Sequence, residues 1–294
     1  MPPMPSGYIA PALLERRTPN YNYVQLPSGV IVASDYDPVI EADVPSGPTF
    51  SPPGAYSLSS LGAPVALNDS TSSLTPIPIP ARNAGDLLIA FGAVATIPNP
   101  SQPLFEQFPG DKWNTILILG QSFSVDPNFG DFVMEIRARI ATGDVDDETI
   151  KVRGQGRPRF GQVACFTGNP ASLTNILTNN GDEEPITPTT TLDSIEVNGT
   201  GFNDTLALLG SMRRGNPTGA DNPITVDSPP PGMTTLATFN IPSVFSTYSL
   251  IGGWCYASRS VGENRAGAPW GASAGFTTSE RTLSAYANLK SSVS

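Results

Sequence analysis

Gly271-Ala272-Ser273-Ala274-Gly275 has the G-x-S-x-G spacing of a nucleophile elbow, in which a tight strand-to-helix turn lifts a serine Oγ toward a histidine base. The chain contains no histidine. That absence removes Ser-His-Asp and Cys-His nucleophiles and histidine-held metals together, because no other side chain titrates near neutrality unperturbed and ligates transition metals as readily. Ser273 therefore reads as part of a small-residue loop between the last two strands, and no catalytic residue is assigned. The acidic run Asp144, Asp146, Asp147 and Glu148 offers oxygen ligands, with Asp144, Asp146 and Glu148 as a weak Ca²⁺ candidate. It lacks the glycine and the bidentate glutamate position of an EF-hand loop, so a solvated hairpin tip is the plainer reading. Arg153, Arg157 and Arg159 form a basic cluster, either a solvated loop or a contact for an acidic neighbour or an anionic glycan group.

Cys165 and Cys255 each sit in an apolar strand pattern and read as buried free thiols; a bridge between them would require a Cα separation that spacing does not supply. The sequons at Asn68, Asn198 and Asn203 read as turn residues, since the N-terminus lacks the basic and apolar regions of a secretion signal. Synthesis in a cytoplasm is the corresponding expectation. No phosphate-binding loop or zinc spacing occurs, and no cofactor is expected. Paired carboxylates for glycoside hydrolysis are set by distance in three dimensions, and the sequence singles out no pair.

The elements that must position these residues are strands. Thirty-one prolines and 28 glycines in 294 residues, with 14% charged residues, favour strands and turns over long helices. A net charge of −10 opposes binding to a nucleic-acid backbone, which needs a positive surface, and no transmembrane segment appears. A protein or sugar surface is the partner this composition suits. The run Gly85 to Val94 is apolar on both alternating faces, with Leu87, Ile89, Phe91 and Ala93 on one and Leu88, Ala90, Gly92 and Val94 on the other. Such a strand belongs in the middle of a sandwich. A weaker copy follows about 118 residues later at Asn203 to Met212. Each copy leads to a Pro-rich loop, then a Pro-Gly turn before an apolar anchor (Trp113, Met233), then an arginine-bearing strand (Phe132 to Ile140, Leu250 to Arg259). Two pseudo-symmetric halves are expected.

Phe132 to Ile140 alternates Phe132, Met134, Ile136, Ala138 and Ile140 with Val133, Glu135, Arg137 and Arg139, which predicts a half-solvated strand. Trp113, Thr115, Leu117 and Leu119 are expected to share a face. Further strands are expected at Thr149 to Val152, Phe160 to Thr167, Leu192 to Val197, Thr205 to Met212, Thr234 to Phe239, Tyr248 to Ser258 and Arg281 to Lys290, roughly ten or eleven in all. Ala55 to Pro80 reads as a linker or an edge-strand region running along an edge or into the first core strand, because its alternating prolines donate no ladder hydrogen bonds. The expected fold is all-β, a single antiparallel sandwich of jelly-roll type over residues 55–294.

Residues 1–54 hold eleven prolines and scattered tyrosines, with no strand-length alternation outside Tyr23 to Ser34. Proline fixes φ near extended values, so about 54 residues reach up to roughly 180 Å. An extended N-terminal arm is expected, with Tyr8, Ile9, Leu13, Leu14, Tyr21 and Tyr23 docking in grooves of neighbouring subunits and Arg16 and Arg17 pairing with acidic groups there.

The motifs Asn83-Ala84-Gly85-Asp86-Leu87-Leu88-Ile89-Ala90, Pro109-Gly110-x-x-Trp113, the arginine strand near Met134 to Ile140 and Gly252-Gly253-Trp254-x-Tyr256-Ala257 resemble those of a jelly-roll-like β-sandwich family. That family occurs among structural proteins of tailed bacteriophages and in bacterial adhesin-like proteins. The resemblance covers about Ala55 to Lys290 and implies a non-enzymatic virion component, a homo-oligomer on a head or tail in contact with other capsid or tail subunits, in some cases with a host-surface glycan. Two other readings stand beside it. One is a lectin-like module stacking sugars on loops around Trp113, Trp254 or Trp270; the other is a carboxylate-based polysaccharide hydrolase.

Overall fold

The computed structural model of the protein describes residues 23–25, 31–33, 56–68, 74–95, 104–106, 113–121, 132–143, 149–153, 158–168, 173, 177–183, 189–197, 204–215, 224–242, 249–258, 267–277 and 282–290. The chain divides into two units, Met1–Pro52 and Pro53–Ser294. In the first, β1 (Tyr23–Gln25) pairs antiparallel with β2 (Ile31–Ala33), a hairpin inside the one stretch of the arm that alternates.

The second unit is an all-β antiparallel sandwich. Its first half contributes β3 (Ser57–Leu61), β4 (Val65–Leu67), β5 (Leu74–Pro76), β6 (Leu87–Ala95), β7 (Asn114–Gln121), β8 (Phe132–Ile140), β9 (Lys151–Arg153) and β10 (Arg159–Thr167). Its second half contributes β11 (Leu177–Glu183), β12 (Asp204–Arg214), β13 (Val226–Ser228), β14 (Thr234–Pro242), β15 (Ser249–Ser258), β16 (Gly271–Ala272) and β17 (Thr282–Lys290). One large sheet runs β3-β10-β6-β8-β7, with β4 also on β10, and the other runs β11-β17-β12-β15-β14. In each sheet the edge strand that comes first in the chain lies beside the last, the last beside the second, the second beside the fourth and the fourth beside the third.

The two halves therefore share one topology, and the ladders agree residue by residue. β7 slips against β8 between Thr115 and Leu117, and β14 slips against β15 between Thr235 and Ala237. Aligning the ladders places Leu87 with Leu206, Phe91 with Gly210, Val94 with Arg213, Ile136 with Trp254, Gln162 with Ala285 and Arg159 with Thr282. The sequence offset of about 118 is one residue short for β6 and β12: it would match an inward side chain to an outward one, since strand side chains alternate. The expected jelly-roll connectivity is not found. A jelly roll passes its chain between sheets through Greek keys, whereas here each large sheet is completed by one half of the chain before the other begins.

Between the sheets lies the main core, including Leu87, Ile89, Phe91 and Ala93 of β6, Leu206, Leu208 and Met212 of β12, and Trp254 of β15. Each sheet's outer face is covered too. Over the first, β5 pairs with β9 and Phe105 bridges to Val152, closing a cluster of Leu88, Ala90, Val94, Leu104, Phe105, Trp113 and Val163. Over the second, β13 pairs with β16 and Leu192 bridges to Trp270, closing a cluster of Ala207, Leu209, Ile251, Cys255, Trp270 and Phe276. The body thus has four layers, a small flap outside each large sheet. Glycines let the flaps approach: a Cβ on Gly253 would stand 2.7 Å from the Trp270 ring, and one on Gly161 would stand 2.6 Å from Ile77. Type II turns lead into β6 and β14, at Asn83 to Asp86 with Gly85 at φ 95° and at Pro230 to Met233 with Gly232 at φ 78°.

These layers revise several expectations. The outward face of β8 is buried, because residues 104–106 lie over it: Glu135, Arg137 and Arg139 are all interior. The slip in β7 turns both Ile116 and Leu117 inward and leaves Thr115 exposed, so the expected common face of Trp113, Thr115, Leu117 and Leu119 is broken. Leu192 makes one bridge where a strand to Val197 was expected. Of the two readings of Ala55 to Pro80, the edge-strand one holds: β3 and β4 lie on β10 at the edge of the first sheet, and β5 joins β9. Trp113 and Trp254 are buried but not equivalent. Trp113 lies under the first flap, in the place Met233 takes in the second half, while Trp254 lies in the core between the sheets.

Candidate functional site

Among the described residues, four enclosed charged side chains, Glu135, Arg137, Arg159 and Arg213, contact the flaps. Beneath the first, Glu135 Oε1 accepts from Arg137 Nε at 2.6 Å, and Glu135 Oε2 accepts from the Phe105 backbone N–H at 2.9 Å. Arg137 returns a hydrogen bond from Nη2 to the Phe105 carbonyl at 3.2 Å, and its guanidinium lies 5.5 Å from the Phe105 ring centre. Both polar groups of one flap residue are thereby satisfied by an ion pair on the sheet. Burial pushes the Glu135 carboxyl above the usual carboxylate range, against the opposing pull of Arg137 and the Phe105 N–H. Wholly covered, this carboxylate reaches no substrate; its geometry is that of a fastening.

Arginines fasten the same corner of both halves from different strands. Arg159 on β10 donates from Nη2 to Thr75 Oγ1 at 2.8 Å. Arg213 on β12 donates from Nη1 to the carbonyls of Thr189 at 3.1 Å and Thr191 at 2.5 Å, with its guanidinium 4.3 Å from the Phe276 ring centre. Val94 and Arg159 face each other across the first ladder, and Arg213 and Thr282 face each other at the equivalent place in the second. Other carboxylates serve turns: Asp86 Oδ2 accepts from the Asn83 N–H at 2.7 Å, and Asp193 accepts from the Thr189 and Thr191 hydroxyls at 2.6 and 2.7 Å. No group of three or more potential metal-ligating side chains occurs among the described residues.

Among the sequence-derived candidates, Arg159 is interior and leaves the expected exposed basic cluster; Arg153 lies in β9, and Arg157 is outside the described residues. Asp144, Asp146, Asp147 and Glu148 are also outside them, as are Tyr8, Ile9, Leu13, Leu14, Arg16, Arg17 and Tyr21, while Tyr23 opens β1. Ser273 is exposed beside the second flap, where its Oγ accepts from the Thr225 N–H at 3.0 Å and its N–H donates to the Thr225 carbonyl at 2.9 Å. That is a strand-closing role in a loop before the last strand. Asn68 donates to the Pro242 carbonyl at 2.8 Å, and Asn198 and Asn203 lie outside the described residues.

Trp113, Trp254 and Trp270 are 6%, 1% and 3% exposed, so none presents a ring face on which a sugar could stack. Cys165 and Cys255 are free and buried on the outer faces of opposite sheets, each under its own flap, a placement that excludes a bridge between them. Burial and the Asp86 carboxylate 3.6 Å away push the Cys165 thiol up to about 11, and burial holds Cys255 well above the usual thiol range. Sequence reasoning missed the fastening role of Glu135, Arg137, Arg159 and Arg213. A charge in strand alternation looks the same whether water or a flap covers it.

No family model matches the chain, and comparison with curated proteins and with solved structures finds no match either.

Proposed function

We propose that this protein is a non-enzymatic structural component of a virion, carried by its N-terminal arm and displaying the four-layered sandwich, as a capsid decoration or a tail or fibre part. The observation that carries the non-enzymatic reading is the use made of the enclosed charges. Glu135, Arg137, Arg159 and Arg213 all join a large sheet to its flap, and a buried pair of this kind contributes to uniqueness of fold rather than to turnover. Placement on a particle rests on the resemblance of the strand motifs to phage β-sandwich proteins and on the apolar, proline-rich composition of residues 1–54. Partners on this reading are other capsid or tail subunits and further copies of the chain. The test is quantitative mass spectrometry and immunogold labelling of purified particles. The chain should co-sediment with particles at a fixed copy number, and deletion of residues 1–24 should abolish that while leaving the body folded. Recovery of the full chain only in the soluble fraction would overturn the proposal.

A further inference from the structure

Each large sheet and the flap outside it come from one half of the chain, β3 to β10 for the first and β11 to β17 for the second. Among the described residues no strand of one half pairs with a strand of the other, and the backbone hydrogen bonds of the turns and flaps also stay within a half. Each half has an apolar cluster of its own, between sheet and flap. What the halves share is the main core, with side-chain links across it such as Trp254 to Gln162, Tyr56 to the Lys290 carbonyl and Asn68 to the Pro242 carbonyl. An apolar centre with hydrogen bonds between side chains and no shared ladder is how two separate molecules meet.

The contact is also reciprocal. β7 lies against β17 and β11, and its equivalent β14 lies against β10 and β4, which are the equivalents of β17 and β11. Such an exchange of partners marks an isologous, two-fold interface. Its side chains nevertheless differ between the halves: Phe91 of the first fills the space that Gly210 of the second leaves open, since a Cβ on Gly210 would stand 2.5 Å from the Phe91 ring. Two first halves would set Phe91 against Phe91, and two second halves would leave a void between glycines, so the fit selects one of each. We infer that the inner face of each half is a recognition surface whose partner is the complementary half, and that the connection between Thr167 and Leu177 serves only to tether the two. The halves recognise each other whether or not the chain joins them.

The inference goes beyond the virion reading and does not rest on it. It is tested on the full chain carrying a site-specific protease sequence inserted between Gly168 and Leu173, ahead of the leucine that packs against the main core. Cleavage of the folded protein should leave both pieces in one particle of their combined mass by native mass spectrometry. Urea unfolding of the uncut chain should be independent of concentration, whereas in the cut protein a tenfold dilution should shift the folding equilibrium tenfold toward separated pieces. On removal of urea, one first half should pair again with one second half. Separation of the pieces on cleavage, an unfolding midpoint of the cut protein that ignores concentration, failure to pair again, or pairs of like halves would each overturn it.

Discussion

Phe91 and Gly210 are equivalent positions of the two halves, and in the folded body they face each other: a Cβ added to Gly210 would stand 2.5 Å from the Phe91 ring and 2.8 Å from Met134 Sδ. Phe91 in turn stacks on Trp254, the equivalent of Ile136, with centroids 5.2 Å apart and planes 9° from parallel. The inner faces fit because they differ, bulk in one half meeting absence of bulk in the other. Gly210→Ala should therefore destabilise the body by about 1–3 kcal/mol through overpacking. Adding Phe91→Leu should recover part of that loss although Phe91→Leu alone leaves a void. Urea unfolding of the two single variants and the double measures the coupling, and strict additivity would refute the fit described.

A second link crosses the same core. Trp254 Nε1 donates to Gln162 Oε1 at 2.8 Å, and Gln162 Nε2 donates to the Gly62 carbonyl at 2.8 Å, so one buried amide ties a sheet edge to the opposite sheet. Gln162→Leu leaves both a donor and an acceptor buried without a partner, each worth about 1–3 kcal/mol. The expected outcome is a loss in that range or above, together with a red shift of the Trp254 emission as the ring loosens.

Much of this architecture is legible in the residues. Leu87 to Val94 announces a strand covered on both faces, and the recurrence of a Gly-bounded apolar strand, a Pro-Gly turn and an anchor points to two halves of like topology. What is not legible is the flap, since Phe105, Leu192 and Trp270 act through single bridges that have no period to detect. Without the flap, Glu135 and Arg137 look solvated and Arg159 looks like part of a basic loop. The register of the repeat was hidden by Gly92 and Gly210: matching glycine to glycine gives the wrong face, because Gly92 makes room for Leu104 and Phe105 on the outer side and Gly210 for Phe91 on the inner side.

The Glu135 fastening has a pH signature. Burial raises this carboxyl in the folded chain, so the folded state binds its proton more tightly than the unfolded state does. Its contribution to stability is complete below the ordinary carboxylate range, near pH 4.3, and is lost as pH rises through the raised folded value. Glu135→Gln removes that dependence. Subtracting variant from wild-type unfolding free energies between pH 4 and 8 should give a difference that declines with pH. Glu135→Ala, which removes the carboxylate that accepts from both Arg137 and the Phe105 N–H, should cost about 3–5 kcal/mol.

The thiols and Tyr56 set an alkaline limit. Cys165 is pushed up to about 11 and Tyr56, whose hydroxyl donates to the Lys290 carbonyl at 3.1 Å, to about 12. Both exceed their unfolded values, so stability present at neutral pH is lost as pH rises, first through about 9 to 11 for Cys165 and then through about 10 to 12 for Tyr56. Neither thiol should react with Ellman's reagent in the native chain at pH 8, and both should react in denaturant. Native reactivity of Cys165 would mean that the first flap opens far more readily than its buried contacts imply.

The exchanged arginines allow the duplication itself to be tested. Across one ladder pair the first half carries Val94 and Arg159, and the second carries Arg213 and Thr282, with an arginine fastening the flap in each case. If the halves are structurally interchangeable at this corner, the guanidinium is required there and the strand that delivers it is secondary. Arg213→Val removes the donor to Thr189 and Thr191 and leaves their carbonyls to find other partners, so it should destabilise the body by about 1–3 kcal/mol and increase hydrogen exchange at the Trp270 amide, which donates to the Leu192 carbonyl. Adding Thr282→Arg to that variant rebuilds the arrangement of the first half. It should restore at least part of the stability and of the Trp270 protection, whereas Thr282→Arg alone should crowd two guanidinium groups together and destabilise. A double variant no better than Arg213→Val would show that the two flaps, though alike in topology, are fastened by geometries that no longer correspond.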